Sequence, residues 1–458
     1  MEKNEIRRKE ILNGNIFKTI FIMALPLMFG NLVQTLYGLA DTYWVSNLIS
    51  SEAFGAISFV WPIQFIFMSF GIGFNIAATS LMGQAIGKDD YKLARALLDQ
   101  FAIIAMSLGF IFLIIGYNAA PFVLKAMGAK DYIYTEGLKY LRIMFFDSLL
   151  FYIFIIYKSK EEAQGNTLTP TIITTISVII NIILDPIFIM FVDNSVAGVG
   201  YATILSRLLI MPFFLKRLFG KKDRLFIDLK ELKINTDLMW KLTKIAMPSA
   251  VGQALSSFGF TIMNSFILSY GTNTLVAFQL GNRITNIFMM PAMGISGALA
   301  SFIGQNIGAK QFNRAKRSVW IVIAFSGGMM CIGSIITYIF KYPLIGVFIK
   351  DSIEITQLSG DYMNVLAFIF PTMAIFFACT GAFSGSGHTM YNFVITSARL
   401  WILRLPMIII AKNYTNLGST GIWYSMLLSN VIICIVGLII VAQGKWVKST
   451  LESNKHIV

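Results

Sequence analysis

Twelve stretches of this chain are apolar for about 20 residues or more, the length an α-helix needs to cross the hydrocarbon core of a bilayer. They lie at roughly 18–46, 54–83, 96–120, 138–157, 168–192, 197–218, 241–269, 275–304, 317–340, 361–382, 392–412 and 419–443. Such runs leave few options, because in hydrocarbon the backbone polar groups must be satisfied within the segment itself. Composition points the same way. Of 458 residues, 56% are apolar and only 13% charged, about half the charged fraction of a soluble domain. The expectation is an all-α polytopic membrane protein, and a soluble multidomain enzyme is excluded. The first run follows Lys3, Arg7, Arg8 and Lys9, as in a signal peptide. It is too long for a signal-peptide core, is interrupted by Pro26 and Asn31, and lacks a small-residue cleavage site. It reads as a retained first helix behind a short amphipathic N-terminal segment.

The net charge of +14 would suit nucleic acid only if it formed a basic face with interleaved aromatics, and it does not. The positive residues sit in short connections between apolar runs. Assigned to alternate sides, 26 Lys and Arg fall on the side of both termini and six on the other, with five inside or at the ends of spans. By the positive-inside rule both termini lie in the cytoplasm and the protein resides in the cytoplasmic membrane. Cys331, Cys379 and Cys434 all lie in apolar runs with no CxxC spacing, and read as buried small residues. With only His388 and His456, neither a zinc site nor a histidine-based catalytic group is expected.

The sequence repeats at an offset of about 221 residues. Residues 56–95 match 277–316 without gaps at 13 of 40 positions, including Gly73/Gly294 and Gly83-Gln84/Gly304-Gln305. Pro26 answers Pro248, and Gly198 answers Gly421. Each copy holds six spans and starts on the same side, so the halves should be parallel repeats about an axis along the membrane normal. The expected division is a first lobe at 1–218, a charged cytoplasmic linker at 219–240 and a second lobe at 241–458. Two six-helix lobes with a cavity between them suit a transporter that rocks one half against the other. Pro26, Pro62, Pro186, Pro248, Pro291 and Pro406 fall within the spans as packing kinks or hinges.

The segments GQAIGKDDYKLAR (83–95) and GQNIGAKQFNRAK (304–316) resemble the cytoplasmic ends of the second and eighth helices of multidrug and toxic compound extrusion (MATE) transporters. LPLMFGNLVQTLYGLADTYWV (25–45), GSGHTM (385–390) and RLP (404–406) are similar to the same pattern. The resemblance covers nearly the whole chain. It implies a V-shaped pair of six-helix lobes exporting amphipathic, often cationic compounds, driven by inward Na⁺ or H⁺ movement. It brings no cofactor beyond the coupling ion, and a monomer is expected.

Intramembrane carboxylates are costly and therefore functional candidates. Reading the spans places Asp41 and Asp185 within apolar surroundings of the first half, and none within the spans of the second. At 1.5 Å per residue, Asp185 lies about 25 Å along its helix, in the outer half, with Asn181 one turn earlier on the same face. Asp41 falls in the outer part of the first helix, and Thr203 lies about 9 Å from the outer end of the sixth. Two carboxylates, an amide oxygen and a hydroxyl form a hard donor set for a small cation. Paired carboxylates also resist ionising together, which suits a proton carrier. The same four positions match the cation site in one branch of MATE proteins, which implies coupling through Asp41, Asn181, Asp185 and Thr203. Branches with a carboxylate in helix 7 or 10 find no counterpart here: Ser256, Ser257 and Phe258 occupy the middle of helix 7, and 362–451 contains no acid.

Substrate contacts are expected from Tyr37, one turn before Asp41, and from a Met-rich wall at Met289, Met290 and Met293. The end of the fourth span departs from the family pattern, reading Lys158-Ser-Lys-Glu-Glu. If the helix continues that far, Lys158 pairs with Glu161 or Glu162 and the charges either line the cavity or form a solvated mouth. The alternative function is a flippase for a lipid or lipid-linked oligosaccharide, disfavoured because buried arginines look few. A polytopic enzyme is not expected, because His388 stands alone.

Overall fold

The computed structural model describes residues 2–191, 195–349 and 352–451. Lys350, Glu452 and His456 lie outside the described residues. Twelve membrane-spanning helices account for most of the chain: α1 (Ile16–Leu48), α2 (Ser51–Gly87), α3 (Tyr91–Ala126), α4 (Asp131–Ala163), α5 (Leu168–Phe191) and α6 (Val196–Phe219), then α7 (Thr236–Leu268), α8 (Thr272–Gly308), α9 (Phe312–Ile339), α10 (Ile353–Ser386), α11 (Thr389–Tyr414) and α12 (Thr420–Gln443). No strand occurs among the described residues. Most helices run past the apolar runs at one or both ends, because charged residues at the membrane surface continue a helix as readily as apolar ones. The extension of α4 to Ala163 carries Lys158, Glu161 and Glu162 on the helix itself.

Starts are marked by short polar caps. Asn15, Ser50 and Asp90 accept from the backbone N–H groups of Lys18, Ala53 and Leu93, and Asn235 from that of Leu238, satisfying donors that a helix leaves free. Proline interrupts more helices than the repeat suggested, since Pro121, Pro212 and Pro371 also lie inside α3, α6 and α10. Two wide turns interrupt the regular helix, at Phe112–Gly116 in α3 and Ala398–Arg404 in α11. The outward surface is apolar, with Ile115, Phe122, Met190, Ile332, Ile335 and Phe368 all exposed. That is the pattern of a surface covered by lipid. Cys331 lies exposed on it, so the expectation of three buried cysteines holds only for Cys379 and Cys434. An apolar run specifies insertion, not which face of the helix meets protein.

The helices form two six-helix lobes related by a pseudo-two-fold axis. Their apolar cores are interlocked. The first core takes in Leu238, Leu242, Ile245 and Ala246 from the start of α7. The second takes in Ile16, Ile20, Met23 and Ala24 from the start of α1. The first turns of α1 and α7 thus cross and pack into the opposite lobe.

The repeated Gly-Gln motif builds the seam at the face that carries the described ends of the chain. A methyl group at Gly87 would overlap the Gln305 carbonyl oxygen, and one at Gly308 would overlap that of Gln84. Only glycine permits this approach. Across the seam, Ser80 Oγ donates to the Gly385 carbonyl (2.8 Å) and Gln84 Nε2 to that of Ser386 (3.2 Å). In the other copy Ser301 Oγ donates to the Glu162 carbonyl (2.6 Å) and Gln305 Nε2 to that of Ala163 (2.8 Å). The second helix of each lobe therefore closes the open C-terminal carbonyls of the fourth helix of the other.

The N-terminal helix Glu2–Asn13 lies across this seam. Asn4 donates to Gln164 (2.5 Å), Arg8 to the Ile86 carbonyl (2.8 Å), and the Ile11 carbonyl accepts from Arg314 (3.1 Å). Below it, Lys160 is fully buried and bonded to Asp223 at 3.0 Å. Burial alone would raise the Asp223 carboxyl, but the Lys160 ammonium and hydrogen bonds from Lys160, Gln164 and the Leu225 N–H outweigh it, holding it below its ordinary range.

Candidate functional site

Asp41 is seven residues from the end of α1, Asp185 six from the end of α5, and Thr203 seven from the start of α6. At 1.5 Å per residue all three lie about 10 Å from the face opposite the described termini. Asn181 Nδ2 donates to Asp185 Oδ1 at 3.2 Å and faces Thr203 Oγ1 at 3.4 Å. The four-residue spacing thus places both side chains on one face. Thr203 Oγ1 in turn donates to the Val199 carbonyl at 3.0 Å, leaving its lone pairs toward the group. Asp185 is fully buried, and Asn181 and Thr203 nearly so. The Asp41 carboxyl lies close enough to Asp185 for direct electrostatic interaction, and the Tyr37 phenol sits beside Thr203 and both carboxyls.

The decisive feature is what these oxygens lack. Asp41 Oδ1, Asn181 Oδ1 and Asp185 Oδ2 are each buried without a hydrogen-bond donor. Leaving a buried acceptor unmatched costs about 1–3 kcal/mol, more for a charged one. Three such oxygens, carried by α1 and α5, are open to a cation, a proton or a water. An all-oxygen donor set with two carboxylates fits a small hard cation.

Another buried carboxylate in this lobe escaped the reading of the spans. Asp147 lies in α4 and is buried, but Arg207 of α6 is ion-paired to it. It carries its own counter-ion, whereas Asp41 and Asp185 have none among the described residues. The pairing crosses two helices 60 residues apart, which no local pattern reveals. Gln64 and Tyr140, which interact with each other near Asp41, were also not singled out.

A second feature is a cavity of about 650 Å³ between α7, α8, α10, α11 and α12, walled on one side by Asn75, Thr79 and Ser80 of α2. Met289 and Met293 line it, and Met290 is buried off it, where its carbonyl accepts from Asn31 (3.4 Å). Glu162 lines it too, held by Asn75 at 3.2 Å and by Lys158 at 3.8 Å. Lys158 stands behind Glu162 rather than in the wall. Glu161 turns away into the buried network, where it pairs with Lys160 (4.0 Å) and Arg217 (3.6 Å). Arg399 and Arg404 both reach this cavity, two of the five basic residues that the sequence places inside or at the ends of spans.

Duplicated six-helix lobes with a large cavity among their helices are the architecture of a polytopic membrane transporter. Residues 26–187 and 248–410 match the MatE family model, once in each lobe, and the chain belongs to that family. It is 23% identical to the probable multidrug resistance protein YoeA of Bacillus subtilis over 89% of this chain and 90% of that one. It is 24% identical to the multidrug export protein MepA of Staphylococcus aureus over 93% of each. Its fold is similar to the outward-facing conformation of a multidrug resistance MATE family transporter of the MOP superfamily, with TM-score 0.89 and 23% identity over 95% of this chain and 98% of that one.

Proposed function

We propose that the protein is a cation-coupled antiporter that exports amphipathic compounds across the cytoplasmic membrane, with both termini in the cytoplasm. The observation that carries the reading is the set of three donor-less buried oxygens on Asp41, Asn181 and Asp185. Inward-moving Na⁺ or H⁺ would satisfy them, and the ion's release would leave two bare carboxylates in a buried site, a state of higher energy that can drive a conformational change. With the termini inside, the sealed Gly-Gln seam faces the cytoplasm and the coupling group lies near the outer surface. The multidrug names of its relatives support the assignment of amphipathic cargo.

Efflux of an amphipathic dye from vesicles, driven separately by imposed Na⁺ and pH gradients, tests this. Asp41→Asn and Asp185→Asn should each abolish gradient-driven efflux, lowering its initial rate by about a hundredfold or more, the scale of losing several kcal/mol of ion binding, while the proteins still insert. Normal efflux by either well-inserted variant would remove the coupling assignment.

A further inference from the structure

The second-lobe cavity carries unneutralised positive charge. Arg404, in the wide turn of α11, is 3% exposed. Its Nε donates to Ser429 Oγ at 3.1 Å and its terminal nitrogen to Asn430 Oδ1 at 2.9 Å, both neutral acceptors. Arg399, one turn earlier, lies with its guanidinium 4.1 Å from the centre of the Phe376 ring and touches the Met373 sulfur at 3.6 Å. Its Nε is buried with no hydrogen-bond partner at all. No carboxylate stands ready to neutralise them: between Asp237 and Asp351 the sequence contains none, and after Asp361 none until Glu452. The one acid in the wall, Glu162, is already taken by Lys158 and Asn75. An arginine keeps its charge in any protein environment, so two of them facing one cavity without counter-charge call for an anion.

The rest of the wall is apolar and adaptable. Phe260, Phe376, Phe377, Met289, Met293 and Met426 line it, and methionine together with aromatic faces accommodates varied ring systems. The volume is that of a site for a drug-sized molecule. We propose that this cavity binds the cargo, and that the cargo is an amphipathic anion whose carboxylate, sulfonate or phosphate is held by Arg399 and Arg404. This names the substrate class of the proposed antiporter and rests on that reading only for the cargo's export, not for its binding. The expectation of mainly cationic cargo gives way, because a cation in this cavity would face two guanidinium groups.

Fluorescein and rhodamine 123 share a ring system and differ in charge, the first anionic and the second cationic. Their binding to the full-length protein in phosphatidylcholine nanodiscs at pH 8 is read by fluorescence anisotropy. Fluorescein should bind about tenfold or more tightly than rhodamine 123, the scale of one charge-assisted hydrogen bond. Arg399→Gln should weaken fluorescein by about the same factor without weakening rhodamine 123, and Arg399→Lys should restore most of the preference for the anion. Equal binding of the two dyes by the wild type, or unchanged fluorescein affinity in Arg399→Gln, overturns the proposal, and the first comparison needs no variant to fold. Including phosphatidylglycerol in the nanodisc separates two sources of the same chemistry: competition assigns the site to an anionic lipid headgroup, and its absence to a free organic anion. Asp41→Asn, in the other lobe, should keep fluorescein binding while losing gradient-driven fluorescein transport in proteoliposomes. Transport surviving in that variant would sink the coupling reading and leave the anion site standing.

Discussion

Asp41, Asn181 and Asp185 of the first lobe differ from their neighbours less by type than by what they lack. Asp147 and Asp185 are both buried carboxylates, yet one is matched by Arg207 and the other only by the amide of Asn181. A buried charge without a partner is strongly destabilising unless a ligand supplies one, which is why the unmatched pair carries the functional assignment. Asn181 contributes a neutral oxygen, so its loss should weaken the site without destroying it. Replacing it with alanine removes one ligand worth about 1–2 kcal/mol, and the cation concentration giving half-maximal transport should rise about tenfold. A titration of transport rate against Na⁺, and separately against pH, measures this. An unchanged midpoint in both would place Asn181 outside the coordination sphere and leave it as a structural bond to Asp185.

At the scale of elements, the crossing of α2 and α8 depends on glycine. Gly87 and Gly308 each face a glutamine carbonyl of the opposite helix at a distance no side chain tolerates. Gly308→Leu should push the two helices apart at this end and bias the molecule away from the state with a closed seam. The expected readout is faster labelling of a cysteine introduced at Ser80, in an otherwise cysteine-free protein, by an impermeant maleimide added on the cytoplasmic side. A methyl group at Gly327 of α9 would meet nothing within 4 Å, so Gly327→Leu is the matched control and should leave labelling unchanged. Equal labelling rates in the two variants would show that the close approach does not hold the seam.

The whole molecule is tied together at the same face by a charged network. Lys160, buried at the end of α4, bonds Asp223 of the connecting segment and the Arg217 carbonyl (2.7 Å). Lys160→Met would take from Asp223 its buried cationic partner, at a cost of about 3–5 kcal/mol for a broken buried pair. Thermal unfolding in detergent should therefore begin well below the wild-type temperature. The pH dependence has a defined sign. The Asp223 carboxyl is held below its ordinary value of 3.8 in the folded protein, so its contribution is fully present above that pH and is lost as pH falls through the lower folded value. The gap between wild type and variant should stay constant from about pH 5 to pH 8 and narrow below about pH 4. A gap unchanged at about pH 3.5 would assign the stabilisation to packing of the lysine stem instead.

Membrane insertion, helix number, duplication and the depths of Asp41, Asn181, Asp185 and Thr203 were all legible in the sequence. They depend on apolar run length, internal self-similarity and a fixed rise per residue, which are properties of the chain taken one segment at a time. The tertiary structure decided which charges are answered. Arg207 reaches Asp147 from another helix, Glu162 turns into the cavity while Glu161 turns away, and Arg399 and Arg404 meet no acid among the described residues. It also decided that the opening turns of α1 and α7 exchange lobes. Those outcomes depend on which faces of which helices come together, and an apolar run that is compatible with lipid on every side leaves its packing face unspecified.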